Sequence, residues 1–271
     1  MKSIIRWVGG KARIMQEIIN EFPEKINTYY EPFVGGGSVV LTVNEKKLTN
    51  QCVVGDSNEE LINFYLQIKK DYKAVLNQFD KLKNTKEDFF KIRILDQDVE
   101  WIKSDPVFRA ARFLYITKMS FNGLWRVNKK GFNNSPFGKI DKINYDEEEI
   151  KQFSKMIQTV EFKVSDFSDL LIHAKEGDFV YMDPPYVPIS DTSSFTRYVK
   201  EAFGDNEHQK LRDVCDQLNN KKVNFLVSNS FCDRTKKLFD GYNFVEVEIQ
   251  RSMAANNSSR GVIKELLIKN Y

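Results

Sequence analysis

Cysteine and histidine are nearly absent from this chain. Its 271 residues hold three cysteines, Cys52, Cys215 and Cys232, and two histidines, His173 and His208. Cysteines that are scattered and odd in number exclude a disulfide framework and fit a reducing compartment. No cysteine–histidine spacing resembles a zinc site, so no metal is expected. No apolar run approaches the length of a membrane span, and the N-terminus lacks a signal-peptide pattern. The expected location is the cytoplasm, or a host cell's interior for a viral chain, with no membrane partner and no secretion. The G-x-G-x-x-G pattern of dinucleotide enzymes is missing too. With no hydride-transfer constellation either, a nicotinamide dehydrogenase is disfavoured. The net charge is only +3, too small to imply a partner by itself.

What is present supports a folded α/β protein. Hydrophobic residues at 41% and aromatics at 13% allow a sizeable core, in one large domain or two modest ones. Trp7-Val8-Gly9-Gly10-Lys11 reads as a turn, followed by Ile14, Ile18, Ile19 and Phe22 at helical spacing. Tyr29 to Val34 reads as a strand, Val39-Val40-Leu41 as a helix opening, and Cys52 to Asp56 as a second strand. Ser57 is the expected cap of the next helix, with Glu60 completing a capping box. Residues 70 to 149 lose the strand–helix alternation and read as a mainly helical insertion. Within 109–142, eight basic side chains (Arg109, Arg112, Lys118, Arg126, Lys129, Lys130, Lys139, Lys142) face one acid, Asp141, with Phe121, Trp125, Phe132 and Phe137 interleaved. Asp146 to Glu149 marks an acidic first turn of a helix. The alternation then resumes: strands at Val160–Val164, Phe179–Met182 and Val223–Val227, a helix over 207–219, and an antiparallel pair at Phe244–Ile249 and Val262–Ile268.

Three features of this layout carry chemistry. Asp183-Pro184-Pro185-Tyr186 follows the apolar run Phe179–Met182, where a strand opens into a loop. Ligands of open α/β sheets bind at such carboxyl ends. Prolines fix φ and donate no amide hydrogen, so carbonyls in this turn are free to accept. One carboxylate, one fixed carbonyl and one flat ring can hold a planar group bearing an NH2. Second, Gly35-Gly36-Gly37-Ser38 lets the backbone approach a ligand closely before a helix N-terminus. Third, Asp56 lies nineteen residues past Gly37 at the next strand end, a place suited to ribose hydroxyls. The combination points to transfer of a group from a nucleoside cofactor to an amine.

Trp7-Val8-Gly9-Gly10-Lys11, Glu31-Pro32-Phe33-Val34-Gly35-Gly36-Gly37-Ser38, Phe121-Asn122-Gly123-Leu124-Trp125-Arg126, Pro136-Phe137-Gly138 and Asp183-Pro184-Pro185-Tyr186 occur in this order. That order resembles the Dam-type (alpha-class) DNA adenine N6-methyltransferases over nearly the whole chain. The resemblance implies a Rossmann-like sheet, S-adenosylmethionine as methyl donor and double-stranded DNA as substrate. It implies a catalytic domain from 1–69 and 150–271, and a target-recognition domain from 70–149. Cofactor contacts are implied for Trp7, Gly9, Gly10, Lys11, Phe33, Gly35, Gly37, Ser38, Asp56 (ribose), Asp166 and Phe167 (adenine), and Asp183. Asp183, Pro184, Pro185 and Tyr186 are implied as the catalytic loop, acting on an adenine flipped out of the duplex.

The same resemblance implies DNA contacts at Arg6, Phe121, Asn122, Leu124, Arg126, Pro136 and Lys139. Arg126 is the expected guanine reader, Leu124 and Pro136 meet a thymine methyl, and Asn122 with Phe121 sits near the vacated base position. Arg6 falls where the family often has a lysine that reads the first guanine. GATC is the expected target. Ile140 departs from the tyrosine common in close relatives, which bears on a phosphate contact. Phe195-Thr196-Arg197-Tyr198 and the loop from Asn256 to Arg260 are further loop positions of interest. The competing readings are an RNA or protein amide methyltransferase with the same Asp-Pro-Pro-Tyr loop, and a DNA-binding relative that has lost catalysis. Oligomeric state is left open, a monomer included.

Overall fold

The computed structural model describes residues 3–140, 143–188, 203–250 and 262–271. Asp141, Lys142, Phe195-Thr196-Arg197-Tyr198 and the loop Asn256 to Arg260 lie outside the described residues. The elements, in chain order, begin α1 (Met15–Asn20), β1 (Tyr29–Glu31), α2 (Ser38–Glu45), β2 (Cys52–Asp56) and α3 (Glu59–Phe79). The insertion contributes α4 (Lys86–Arg93) and α5 (Pro106–Met119), and α6 (Glu147–Met156) leads back to β3 (Val160–Val164). There follow α7 (Phe167–Leu170), β4 (Phe179–Met182), α8 (Asp205–Asn220), β5 (Asn224–Ser230), α9 (Asp233–Leu238), β6 (Asn243–Gln250) and β7 (Val262–Lys269).

The strands form one seven-stranded sheet in the order β3-β2-β1-β4-β5-β7-β6. Strands β1 to β5 are parallel, and β7 runs antiparallel between β5 and β6. Parallel strands need cover on both faces, and β4 is buried at every position. Successive side chains alternate faces. Tyr29, Val54 and Tyr181 pack with residues of α2, α3, α5 and α6, while Tyr30, Val53, Val180 and Met182 pack with α7, α8 and α9. The strand order reverses at β1, which pairs with β2 on one side and β4 on the other. A crevice opens at such a switch point, outside the carboxyl ends of the strands. This is the α/β architecture of the Rossmann-like methyltransferases expected from the sequence.

Several local expectations change. Asn58, not Ser57, caps α3, its side chain accepting from the Leu61 amide. The reason lies one residue further back: the Asp56 carboxylate already accepts from the Asn58 amide, which sets that turn. β1 ends at Glu31 rather than Val34. α3 runs on to Phe79, with non-helical φ/ψ at Asp71. The insertion is not helical throughout. Residues 120–137 fold back as an irregular hairpin, with bridges at Ser120↔Phe137 and Val127↔Asn133 and a turn closed by the Asn128 amide on the Phe132 carbonyl.

The basic run divides into two kinds of side chain. Arg112 is wholly buried, donating to the Ile92 and Arg93 carbonyls and pairing with Asp96 at 3.0 Å. Arg109 is also buried, pairing with Glu59 and Glu60. These two arginines tie α5 to the start of α3 and the end of α4, so they are not available to phosphates. Trp125 is buried as well, against Phe113. Among the described residues no helix is long and apolar enough to cross a membrane, and no group of three or more His, Cys, Asp or Glu side chains could hold a metal ion.

Candidate active site

Because β1 to β4 are parallel, their carboxyl ends share one edge of the sheet. Glu31, Asp56, Asp166 and Asp183 therefore stand in a row there, each at or just past the end of its strand. β7 adds Glu265 from the opposite direction, since its register places Glu265 beside Ser230 at the end of β5. A cleft of about 1360 Å³ opens over this edge, lined by Asp183 to Tyr186, Glu31 to Gly36, Arg6 to Lys11, Asp56, Asp166, Phe167 and Glu265. Ser38 lines it as well, whereas Gly37 sits just behind as the cap of α2.

At one end of the cleft, Asp183 follows Met182 of β4 and keeps 20% of its side chain exposed. Burial pushes its carboxyl up to about 6; Lys11 pulls against that shift and the Glu265 charge adds to it. Lys11 Nζ lies 2.8 Å from Asp183 Oδ1 and donates to the Gly9 carbonyl at 2.8 Å. The same ammonium sits 4.8 Å from the centre of the Tyr186 ring. Tyr186 donates its hydroxyl to Glu265 at 2.6 Å. The loop is anchored further on by the Val187 amide, which donates to Asn229, and by the Ser230 hydroxyl, which donates to the Val187 carbonyl. Glu31 lies buried beside this group, and burial pushes its carboxyl up to about 8.

At the other end, Asp56 accepts from the Gly35 amide at 3.1 Å and from the Asn58 amide at 2.9 Å. Burial raises its carboxyl to about 6, and these backbone hydrogen bonds hold the rise in check. Gly35 is required by space: a Cβ would come within 2.8 Å of the Trp7 ring, at a φ of +45°. Its carbonyl accepts from Tyr65, which fixes the turn from below. Beyond it Phe33, Phe167 and Phe203 form an aromatic cluster, with Phe33 and Phe167 stacked at 5.2 Å. Asp166 caps α7 through the Ser168 amide and pairs with Lys210 at 2.7 Å. An acid with fixed partners, a glycine turn and an aromatic slot together suit a nucleoside carrying a charged amino-acid tail. The residues present thus fit S-adenosylmethionine.

The insertion places its expected DNA residues on the outside. Phe121 is 57% exposed, Asn122 and Lys139 are exposed at positive φ, and Leu124 and Pro136 are half-buried. Arg6 is exposed and packs on Gly123, where a Cβ would come within 2.7 Å of the Arg6 Cβ. That contact joins the N-terminal turn to the Phe121–Gly123 loop. Of the seven DNA positions only Arg6 lines the cleft. Arg126 folds onto Asn134, donating from Nε to its side-chain oxygen and from Nη2 to its carbonyl, both at 2.8 Å.

Glu265, Phe203, Lys210 and the part played by Glu31 escaped the sequence reading. Glu265 sits in a strand that reads simply as an edge, and only the β5–β7 register brings it to Tyr186. Phe203 and Lys210 come from the region of α8, whose helical pattern gives no hint of the cleft. Glu31 was visible within Glu31-Pro32-Phe33, but burial gives it a role that spacing does not.

Comparison with known proteins agrees with this geometry. Residues 7–253 match the D12 class N6 adenine-specific DNA methyltransferases. The chain is 36% identical to the type II methyltransferase M1.LlaDCHI of Lactococcus lactis subsp. cremoris, covering 100% of this chain and 96% of that protein. It is 34% identical to the type II methyltransferase M.MjaIII of Methanocaldococcus jannaschii, covering 100% and 99%. It is 31% identical to the DNA adenine methylase of Escherichia coli K12, covering 98% and 94%. With a matching profile, full-length relatives and an Asp-Pro-Pro-Tyr loop at the end of β4, this chain belongs to the D12 class N6 adenine-specific DNA methyltransferases.

Proposed function

We propose that the chain methylates N6 of an adenine extruded from a short duplex site, with GATC as the target. The observation that carries this reading is the placement of Asp183 and Tyr186 in one cleft with Asp56, Phe33 and Phe167. Residues 1–69 and 150–271 form the catalytic domain, and residues 70–149 recognise the target. Asp56 holds the donor's ribose, Asp166 and Phe167 its adenine, Phe33 and Gly35 line its methionine end, and the Trp7 to Lys11 and Gly35 to Ser38 turns close around the rest. Bound there, S-adenosylmethionine supplies a methyl on a sulfonium sulfur, and the S–CH3 bond breaks as the N–CH3 bond forms.

The chain's own residues prepare the acceptor. The adenine amino nitrogen is a poor nucleophile because its lone pair is delocalised into the ring. Hydrogen bonds from that group to Asp183 and to the Pro184 carbonyl favour a pyramidal nitrogen, while Pro185 stiffens the turn. As the nitrogen becomes cationic, the Asp183 charge stabilises it. The surplus proton then leaves through Asp183 to solvent. Tyr186 is the stacking platform for the base, whose extrusion costs roughly a few kcal/mol of lost stacking and pairing.

Recognition falls to Arg6, Phe121, Asn122, Leu124, Arg126, Pro136 and Lys139. Lysines and arginines on phosphates give affinity, and sequence choice comes from contacts to base edges. Labelled methyl transfer onto short duplexes that differ by one base pair tests the whole reading. The expected result is N6-methyladenine at GATC and loss of transfer at each single change. Transfer to RNA or protein in place of duplex DNA refutes the substrate, and a different preferred duplex refutes only the site.

A further inference from the structure

The Lys11 ammonium meets two of the demands that the site makes of a target amine, a hydrogen bond to Asp183 and a place over the Tyr186 ring. It is a nitrogen donor at 2.8 Å from Asp183, it lies over the Tyr186 ring, and its second hydrogen bond goes to the Gly9 carbonyl rather than to that of Pro184. Its side chain is buried within the cleft wall. A base stacked on Tyr186 needs the slab of space directly over the ring, and the ammonium stands in that slab. Charge leads to the same conclusion. Methyl transfer makes the acceptor nitrogen cationic, and a fixed ammonium on the same carboxylate would repel it and cancel the stabilisation Asp183 provides.

We propose that Lys11 is a resident occupant of the target-base site, holding the place of the extruded base's amino group and swinging out when the base enters. This inference rests on the reading of Asp183 and Tyr186 as the pair that holds the base. The lysine stem has four rotatable bonds, so its head group can leave without movement of the backbone. While Lys11 is in place it is the counter-ion of Asp183; the other titratable groups packed around that carboxylate, Glu31 from β1, Tyr181 from β4, Glu265 from β7 and Tyr186 of its own loop, carry no positive charge. Once Lys11 leaves, an unpaired carboxylate faces the nitrogen that is to carry positive charge. Base entry and electrostatic activation of the site are then one event.

A duplex with 2-aminopurine at the target brightens when that base leaves the stack, and the measurement needs no methyl donor. Lys11→Met removes the competing amine and is expected to raise the extrusion equilibrium about tenfold. In single-turnover transfer, the acid limb of its pH profile is expected to move up by about one unit, because Asp183 loses the cation that holds its pKa down. Lys11→Arg keeps the charge and the wild-type acid limb, but its broader head is harder to expel and should lower extrusion. Lys11→Met extrusion equal to wild type overturns the proposal. Lower extrusion also overturns it, since Lys11 would then hold the base rather than its place. If Lys11→Met does not fold, Lys11→Arg decides: unchanged extrusion overturns the proposal and reduced extrusion supports it. Failure of the underlying reading shows elsewhere, as wild-type transfer by Asp183→Asn.

Discussion

Asp56 and Asp183 are the same residue type at the ends of neighbouring parallel strands, and burial raises both to about 6. Their partners differ. Asp56 is held by two backbone amides, Gly35 and Asn58, which cannot move without unfolding the turn. Asp183 is held by a flexible lysine side chain. A carboxylate with fixed partners is organised before its ligand arrives, and its free lone pairs point where the fold dictates. A carboxylate with an exchangeable partner can trade that partner for a ligand. The donor end of the cleft is therefore a binding site built in advance, and the target end is an exchange site. The insertion repeats the contrast among its arginines. Arg112 is locked to carbonyls and Asp96 inside the core, whereas half-buried Arg126 rests on Asn134 at the surface.

The comparison breaks most easily at Asp183. Asp183→Ala removes the carboxylate that holds the acceptor amine and stabilises its developing charge, so single-turnover transfer should fall about a thousandfold or more. Donor affinity, set at the other end of the cleft, should stay near the wild-type value in equilibrium titration. A variant that loses donor binding and transfer in step would show that the two ends are not separate. Next in size is Arg112→Ala, which takes the ion-pair partner from Asp96 and the donors from the Ile92 and Arg93 carbonyls. Chemical denaturation should report a loss of about 3–5 kcal/mol. A change near zero would mean that Arg112 is not the lock its contacts describe.

Asp56→Ala tests the fixed end. It should weaken donor binding by about 1–3 kcal/mol, since one buried acceptor disappears and two amides lose their partner. Transfer at saturating donor should change far less than in Asp183→Ala. A large drop in that saturated rate, with donor affinity intact, would reverse the roles assigned to the two carboxylates.

The fixed parts of the molecule were the parts legible in the sequence. β2 and β4 were readable to the residue because short apolar runs bounded by turns define buried strands, and β3, a half-exposed edge strand, because Val160, Phe162 and Val164 alternate with Glu161 and Lys163. Asp56 and Asp183 were readable because each ends such a run. What stayed hidden depended on contacts between distant segments. Ser57 and Asn58 are equally good caps by composition, and the choice follows from Asp56 reaching across to Gly35. Arg109 and Arg112 look like surface charges because a basic run does not say which way its members face; the acids that bury them, Glu59, Glu60 and Asp96, lie 16 or more residues away in sequence. Glu265 needed the β5–β7 register. Lys11 was legible as part of the cleft, but its pairing with Asp183 spans most of the chain and leaves no local trace.

Arg126 carries the smallest of these effects and extends the contrast to recognition. Its guanidinium fork is closed on Asn134 through two hydrogen bonds, so reading a guanine requires that it exchange Asn134 for the base. The net gain is the difference between the two sets of bonds. A bidentate guanine contact distinguishes bases by about 1–3 kcal/mol, and the Asn134 bonds given up should leave Arg126 toward the low end, near tenfold. Arg126→Ala should therefore relax discrimination at one guanine of the site by about tenfold, while transfer to the preferred duplex and thermal stability change little. Asn134→Ala should move the other way, because it removes the side-chain acceptor of Nε and leaves the fork held only by the backbone carbonyl. If both variants discriminate as the wild type does, the Arg126 fork is a structural clasp like that of Arg112, and the guanine is read elsewhere.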